Sequence, residues 1–179
     1  TNSNIRYRTK INILKKFKIK NIIFEKFVFI KENEFHKMNE ILEEQKIKAW
    51  VNCPLRVMPV FKKIKQKLKK NNNLIINVSG SNWNMASNTI HYLDLYNYFV
   101  GTKFKNFENK LLKKSYKSKR KGFFELYGFI KFNINKKNYL TLENVNKPNK
   151  LSIIIKFNNH KFSLDFNKES NIIKYYYKN

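Results

Sequence analysis

Three places in the chain carry side chains that could do chemistry. Glu25-Lys26 follows the apolar triplet Ile22-Ile23-Phe24, and α/β proteins hold ligands at the C-terminal ends of strands in an open parallel sheet. An ammonium there could hold a substrate hydroxyl or lend it positive charge; a solvated strand-end lysine is the plain alternative. His91 and Asp94 are three residues apart, a spacing that puts both on one helix face. An imidazole near a carboxylate can accept a proton near neutral pH, although a lone histidine on an apolar helix also reads as a satisfied core residue. Arg56 stands at a strand-to-helix junction and could clamp an anion or a sugar hydroxyl, or merely pair with a carboxylate. His36 and His160 lie in unrelated segments, and Cys53 is the only cysteine. No metal-ligand spacing and no disulfide framework can therefore be written.

The elements that must position these residues follow from periodicity. Residues 5–18 read as an amphipathic helix with Tyr7, Ile11 and Leu14 on one face. Residues 20–26 read as a short, fully buried strand. Residues 31–46 form the next helix: Phe35, Met38 and Leu42 share a face, with Glu32 and Glu34 early and Lys46 late, which suits the helix dipole. Lys48 to Asn52 is a second strand. A helix starting between Pro54 and Pro59 runs to Lys70, with Val57, Phe61, Ile64 and Leu68 on its face. This alternation predicts a parallel α/β layer. Leu74 to Val78 is a further strand, and residues 85–99 form a buried helix carrying His91. Residues 102–121 read as a basic, poorly patterned connection. From Gly122 onward strands take over, with Phe124, Leu126, Ile130, Phe132 and Ile134 expected on one face, opposite Glu125 and Lys131. A hairpin is expected to turn at Asn158-Asn159, pairing Leu151 with Phe166, Ile153 with Leu164 and Ile155 with Phe162. Residues 172–177 give one more strand. The fold class is thus α/β followed by an α+β domain with an antiparallel sheet.

Composition narrows the function. Among 179 residues the net charge is +26, which invites a phosphate-binding reading. Only four of the 38 basic residues are arginine (Arg6, Arg8, Arg56 and Arg120), so the bidentate fork used to read bases is nearly absent. Enrichment in Lys, Asn, Ile, Phe and Tyr matches drift toward A/T-rich codons. A Lys-rich nucleic-acid or ribosome-associated protein stays as the alternative, its best support being Lys62 to Lys70 and Lys103 to Lys121. The four glycines stand at 80, 101, 122 and 128, so neither a GxGxxG nor a GxxxxGK[ST] phosphate turn exists in the chain. No apolar run reaches the roughly 20 residues of a membrane helix. The chain opens on Thr1, has no signal-peptide pattern, and is expected to be cytoplasmic and a fragment of something longer.

A resemblance sharpens these readings. Thr1-Asn2-Ser3 before a helix, Ile22-Ile23-Phe24-Glu25-Lys26, Val51-Asn52-Cys53-Pro54-Leu55-Arg56 with Pro59, and His91-Tyr92-Leu93-Asp94 occur in that order. With Ser118-Lys119-Arg120-Lys121-Gly122-Phe123, Glu125 and Gly128 behind them, they resemble the glucose–fructose oxidoreductase/inositol dehydrogenase (Gfo/Idh/MocA) family over residues 1–135. The resemblance implies a partial Rossmann layer and an open-sheet C-terminal domain, split as 1–53 (remnant of the NAD(P)-binding domain) and 54–179 (linking helix and substrate/oligomerisation domain). It implies an NAD- or NADP-dependent oxidoreductase acting on a sugar, polyol or sugar derivative, and a homo-oligomer formed through the sheet, with neither nucleic acid nor membrane as partner. Lys26 and His91 would be catalytic and share one cleft. Arg56, Trp83, Asn88 and Asp94 would bind substrate, and Thr1, Asn2, Glu25 and Lys26 would lie at the cofactor. Two departures stand out: Phe27 follows Glu25-Lys26 where the family has proline, and Ser87 stands four residues before His91 where the family often has Asp.

Overall fold

A computed structural model describes residues 3–68, 73–166 and 173–178. The chain divides into two compact units, Thr1–Pro54 and Leu55–Asn179.

The first unit runs α1 (Ser3–Lys16), β1 (Asn21–Phe24), α2 (Glu32–Glu44) and β2 (Lys48–Val51). Its core is Leu14, Ile22, Phe24, Phe29, Met38, Leu42 and Ile47, with Tyr7 and Ile11 of α1 packed against it. The apolar stripes of both helices thus supply the cover they were expected to supply. Phe35 leaves that stripe exposed, although its ring meets Phe29 edge-on at 5.2 Å. Lys46 falls beyond α2 in the left-handed region, at φ 55°. β1 and β2 pair in parallel, with Ile23 beside Trp50. The strand expected to be fully buried is buried on one face only: Ile22 and Phe24 point into the core, while Ile23 is 67% exposed. Parallel strands normally have both faces covered; here helices cover one. An open apolar pocket of about 210 Å³ lies beside β2, lined by Phe24, Phe29, Met38, Leu42 and Val51 among others.

In the second unit a 3-10 turn (Pro54–Val57) leads to α3 (Pro59–Lys67), which starts on a proline, as first turns tolerate. There follow β3 (Leu74–Ser81), α4 (Met85–Val100), β4 (Asn106–Lys117), β5 (Phe124–Asn135), β6 (Asn138–Val145), β7 (Ser152–Phe157), β8 (His160–Phe166) and β9 (Ile173–Lys178). They form one seven-stranded sheet in the order β4-β5-β6-β3-β7-β8-β9. The expected antiparallel sheet is in fact mixed: β3 runs parallel to β6 and antiparallel to β7. The chain leaves the central strand through α4 and the β4–β5 hairpin before β6 returns alongside it. Phe61 and Ile64 of α3, and Leu95, Tyr96 and Phe99 of α4, bury against Ile76, Val78, Leu140, Leu142, Ile153, Ile155 and Leu164.

Two further expectations are corrected. Residues 106–117 are a strand, not a connection; β4 is an edge strand on which only Tyr116 is even half-buried, so neither face alternates. On β5 the expected face slips at Gly128. There φ is +125°, and a Cβ would sit 2.4 Å from the Lys110 carbonyl oxygen. The β4–β5 register shifts between Leu111 and Ser115. Before this bulge Glu125 and Tyr127 are buried and Phe124 is exposed, while Leu126, Ile130, Phe132 and Ile134 of the expected face are partly buried against the core. The β7–β8 hairpin holds the expected register, Ile153 with Leu164 and Ile155 with Phe162, turning at Asn158 with φ 49°. The ladder runs from Ser152 opposite Asp165 to Phe157 opposite His160, one position short of the expected Leu151–Phe166 pair.

Candidate functional site

Lys26 stands in the turn after β1, half-buried, and two contacts hold that turn. Arg6 of α1 is 3% exposed, and its guanidinium donates to the carbonyl oxygens of Glu25 (2.6 Å), Phe27 and Val28 (3.5 Å). Asn52, just after β2, donates its amide to Glu25 Oε1 at 2.7 Å. A buried arginine is tolerable only when its donors find partners, and here backbone carbonyls of one turn receive Nη1. Arg6 was missed in the sequence because its partners lie 19 to 22 residues away. Phe27, in place of proline, follows a cis peptide. Glu25, expected near a cofactor, is tied to Asn52. Thr1 and Asn2 lie outside the described residues.

In the second unit the candidates gather around the start of α4. Asn84 caps the helix in the left-handed region, at φ 59°. Asn88 donates its amide to the Trp83 carbonyl at 2.8 Å. Trp83 is 3% exposed, donates from Nε1 to the Glu143 carbonyl at 2.7 Å, and meets Tyr92 edge-on. That burial makes it a packing wedge. Asp94 and Arg56 meet each other: Arg56 Nε lies 2.7 Å from one carboxylate oxygen, and Nη2 contacts the other. Arg56 also lies over the Tyr98 ring, 5.9 Å from its centroid. The carboxylate-pairing reading of Arg56 is the one the geometry bears out. His91 is half-buried on α4.

A polar cluster that periodicity did not reveal lies beside these residues. Glu125, fully buried, accepts from the Ser87 backbone N–H at 3.1 Å and from the Ser87 hydroxyl. Tyr116 accepts from the Asn84 N–H at 3.2 Å and from Asn144 at 3.3 Å, and its ring packs on Tyr127. Tyr127 donates to Asn82 at 2.7 Å. Burial pushes the Tyr116 hydroxyl pKa up, opposed by the Asn144 and Asn84 bonds. A carboxylate at an expected outward position of β5 was the available sequence signal, but polarity alone reads as exposure.

Among the described residues no group of three or more His, Cys, Asp or Glu could hold a metal ion. None of the described helices is long and apolar enough to cross a membrane. A dinucleotide fits these residues poorly. Its pyrophosphate needs a glycine turn at a helix N-terminus, the chain has no such turn, and the first turn of α4 already holds the Glu125 carboxylate.

Solved structures of this fold are Gfo/Idh/MocA-type oxidoreductases. UDP-N-acetylglucosamine 3-dehydrogenase GnnA from Acidithiobacillus ferrooxidans matches with a TM-score of 0.71 at 13% identity, covering 98% of this chain and 56% of its own. The WlbA dehydrogenase from Thermus thermophilus, solved with NAD and alpha-ketoglutarate, matches at TM-score 0.62 and 14% identity, covering 97% and 60%. A super-repressor mutant of Gal80p from Saccharomyces cerevisiae matches at TM-score 0.69 and 12% identity, covering 99% and 59%. At such identities the likeness defines the fold, and the chain spans a little over half the length of these proteins. No family model and no curated protein matches the sequence.

Proposed function

We propose that this chain is the substrate-facing portion of an NAD(P)-dependent oxidoreductase acting on a sugar, polyol or sugar derivative in the cytoplasm. The observation that carries the reading is the fold likeness to a sugar-nucleotide dehydrogenase over 98% of the chain. In this reading Lys26 and His91 carry the chemistry. The ammonium holds and polarises a substrate hydroxyl, and neutral imidazole takes its proton, a general-base step worth about 10² to 10⁴ in rate. Asp94 and Trp83 support the helix, and Asn88 and Arg56 border the substrate side. The dinucleotide's phosphates fall to polypeptide beyond these 179 residues. The bare face of β1 and β2, with Ile23 and Trp50 exposed, supports its docking there. Copies of the chain associate through the half-buried open face of the large sheet.

The test joins this chain to a strand–glycine turn–helix half and assays NAD(P)⁺ reduction against sugar nucleotides and polyols. Turnover is expected, with Lys26→Met and His91→Ala each cutting it by about 10² or more while cofactor binding persists. A joined protein that binds NADH and turns over nothing would instead favour a regulatory role for the sheet domain, the reading that the Gal80p likeness supports.

A further inference from the structure

The β4–β5 hairpin has no part in the chemistry above, yet it gathers two kinds of exposed side chain. Between Glu108 and Glu125 the sequence holds six lysines and Arg120 and no acid, and all seven cations are exposed. Among the described residues the second unit exposes five large apolar side chains, and four of them stand on this hairpin. They are Phe107, Leu111, Leu112 and Phe124, from 40 to 63% exposed. Lys117 pairs with Phe124 across the two strands, so an ammonium and an exposed ring share one face. β4 lies at the edge of the sheet, where both its faces are open to an approaching partner.

Cations alone would serve any polyanion; the apolar groups among them narrow the partner. Single-stranded nucleic acid calls for aromatic faces under successive bases. Here the two rings are about ten residues apart along β4, because Phe124 lies opposite Lys117, and that is about 33 Å. Leu111 and Leu112 between them offer no π face. A second copy would bring the same cations against these. An anionic bilayer meets both requirements. Its headgroups take the charges, while leucine and phenylalanine dip beneath them and lysine stems hold their ammonium groups at headgroup level.

We propose that the β4–β5 hairpin is a docking surface for anionic lipid bilayers. It meets the surface edge-on, no deeper than the headgroup boundary, where the free strand backbone stays hydrated. Such contact needs no spanning helix. It is independent of the reaction proposed above and departs from the resemblance, which implies no membrane partner.

The test sediments the 179-residue chain with vesicles of phosphatidylcholine, alone or mixed with phosphatidylserine, at physiological salt. Binding to the mixed vesicles and not to phosphatidylcholine alone is expected. Each cation near an anionic surface contributes about fivefold, so Lys113→Gln/Lys117→Gln/Lys119→Gln together should cut partitioning by about 10². Lys62→Gln/Lys63→Gln/Lys67→Gln removes the same charge from exposed positions of α3 and should cut it less than about threefold. Leu112→Ser/Phe124→Ser keeps every charge and should cut it about tenfold. These positions are exposed, so circular dichroism should match the wild type. Should the serine pair disturb the fold, Phe124→Ser alone, at about threefold, decides. An equal loss in the α3 variant would reduce the effect to whole-chain charge and overturn the proposal, as would full binding by the serine variant. A thymidine oligonucleotide that displaces the vesicles at equal phosphate, through the same lysines, would assign the hairpin to nucleic acid instead. A wild-type dimer that Leu112→Ser/Phe124→Ser dissolves would assign it to a second copy.

Discussion

Asp94 stands three residues after His91, yet Arg56 grips both of its carboxylate oxygens. The spacing that suggested a catalytic pair is used instead to anchor the 3-10 turn before α3 to α4. The pair is partly exposed, so its worth is modest: Arg56→Ala should cost about 1 kcal/mol, read as a lower urea midpoint with an unchanged slope. A second expectation concerns buried hydroxyls. Burial raises the Tyr92 and Tyr96 pKa values well above 10, and Tyr96 donates to the Leu74 carbonyl at 3.0 Å. Above pH 10 the unfolded chain sheds these two protons while the folded chain keeps them, so stability is intact below pH 10 and falls as pH rises further. Absorbance at 295 nm should show exposed tyrosines ionising first and a late group ionising together with loss of circular dichroism.

At the scale of elements, Gly128 turns β5 over partway along its length. Gly128→Ala would drive a Cβ into the β4 backbone, 2.4 Å from the Lys110 carbonyl oxygen and 2.7 Å from Leu111 Cα, at a φ of +125°. A loss of about 2 kcal/mol or more is expected, with amide exchange accelerating first along β4. The same position explains where sequence reading failed. α2 and the β7–β8 hairpin were legible because Met38 and Leu42, or Ile153, Ile155, Phe162 and Leu164, repeat at one period on one buried face. β4 has no buried face to repeat, β6 hides its alternation by placing Asn144 inward, and β5 changes face at a glycine whose effect depends on a neighbouring strand. Of the site, Lys26 and His91 were legible as reactive types at strand and helix positions. Arg6 and Glu125 were not, because each acts on a partner 19 or more residues away.

For the whole chain, the decisive absence is the glycine turn. NADH is expected not to saturate the isolated 179 residues at micromolar concentration, whether followed by fluorescence or calorimetry; saturable binding would show that phosphate recognition here needs no such turn. The surplus charge also acquires a meaning through β4. A twelve-residue edge strand exposed at every position but Tyr116 is a template on which another chain could extend the sheet. Lys110, Lys113, Lys114 and Lys117 lie along it, so a second copy arriving edge to edge would set ammonium against ammonium. The lysines of this strand therefore give it electrostatic insulation, which reaches only about 8 Å at physiological salt. Acetylation of those lysines would strip the insulation, and light scattering from the acetylated chain is expected to rise as β4 edges meet.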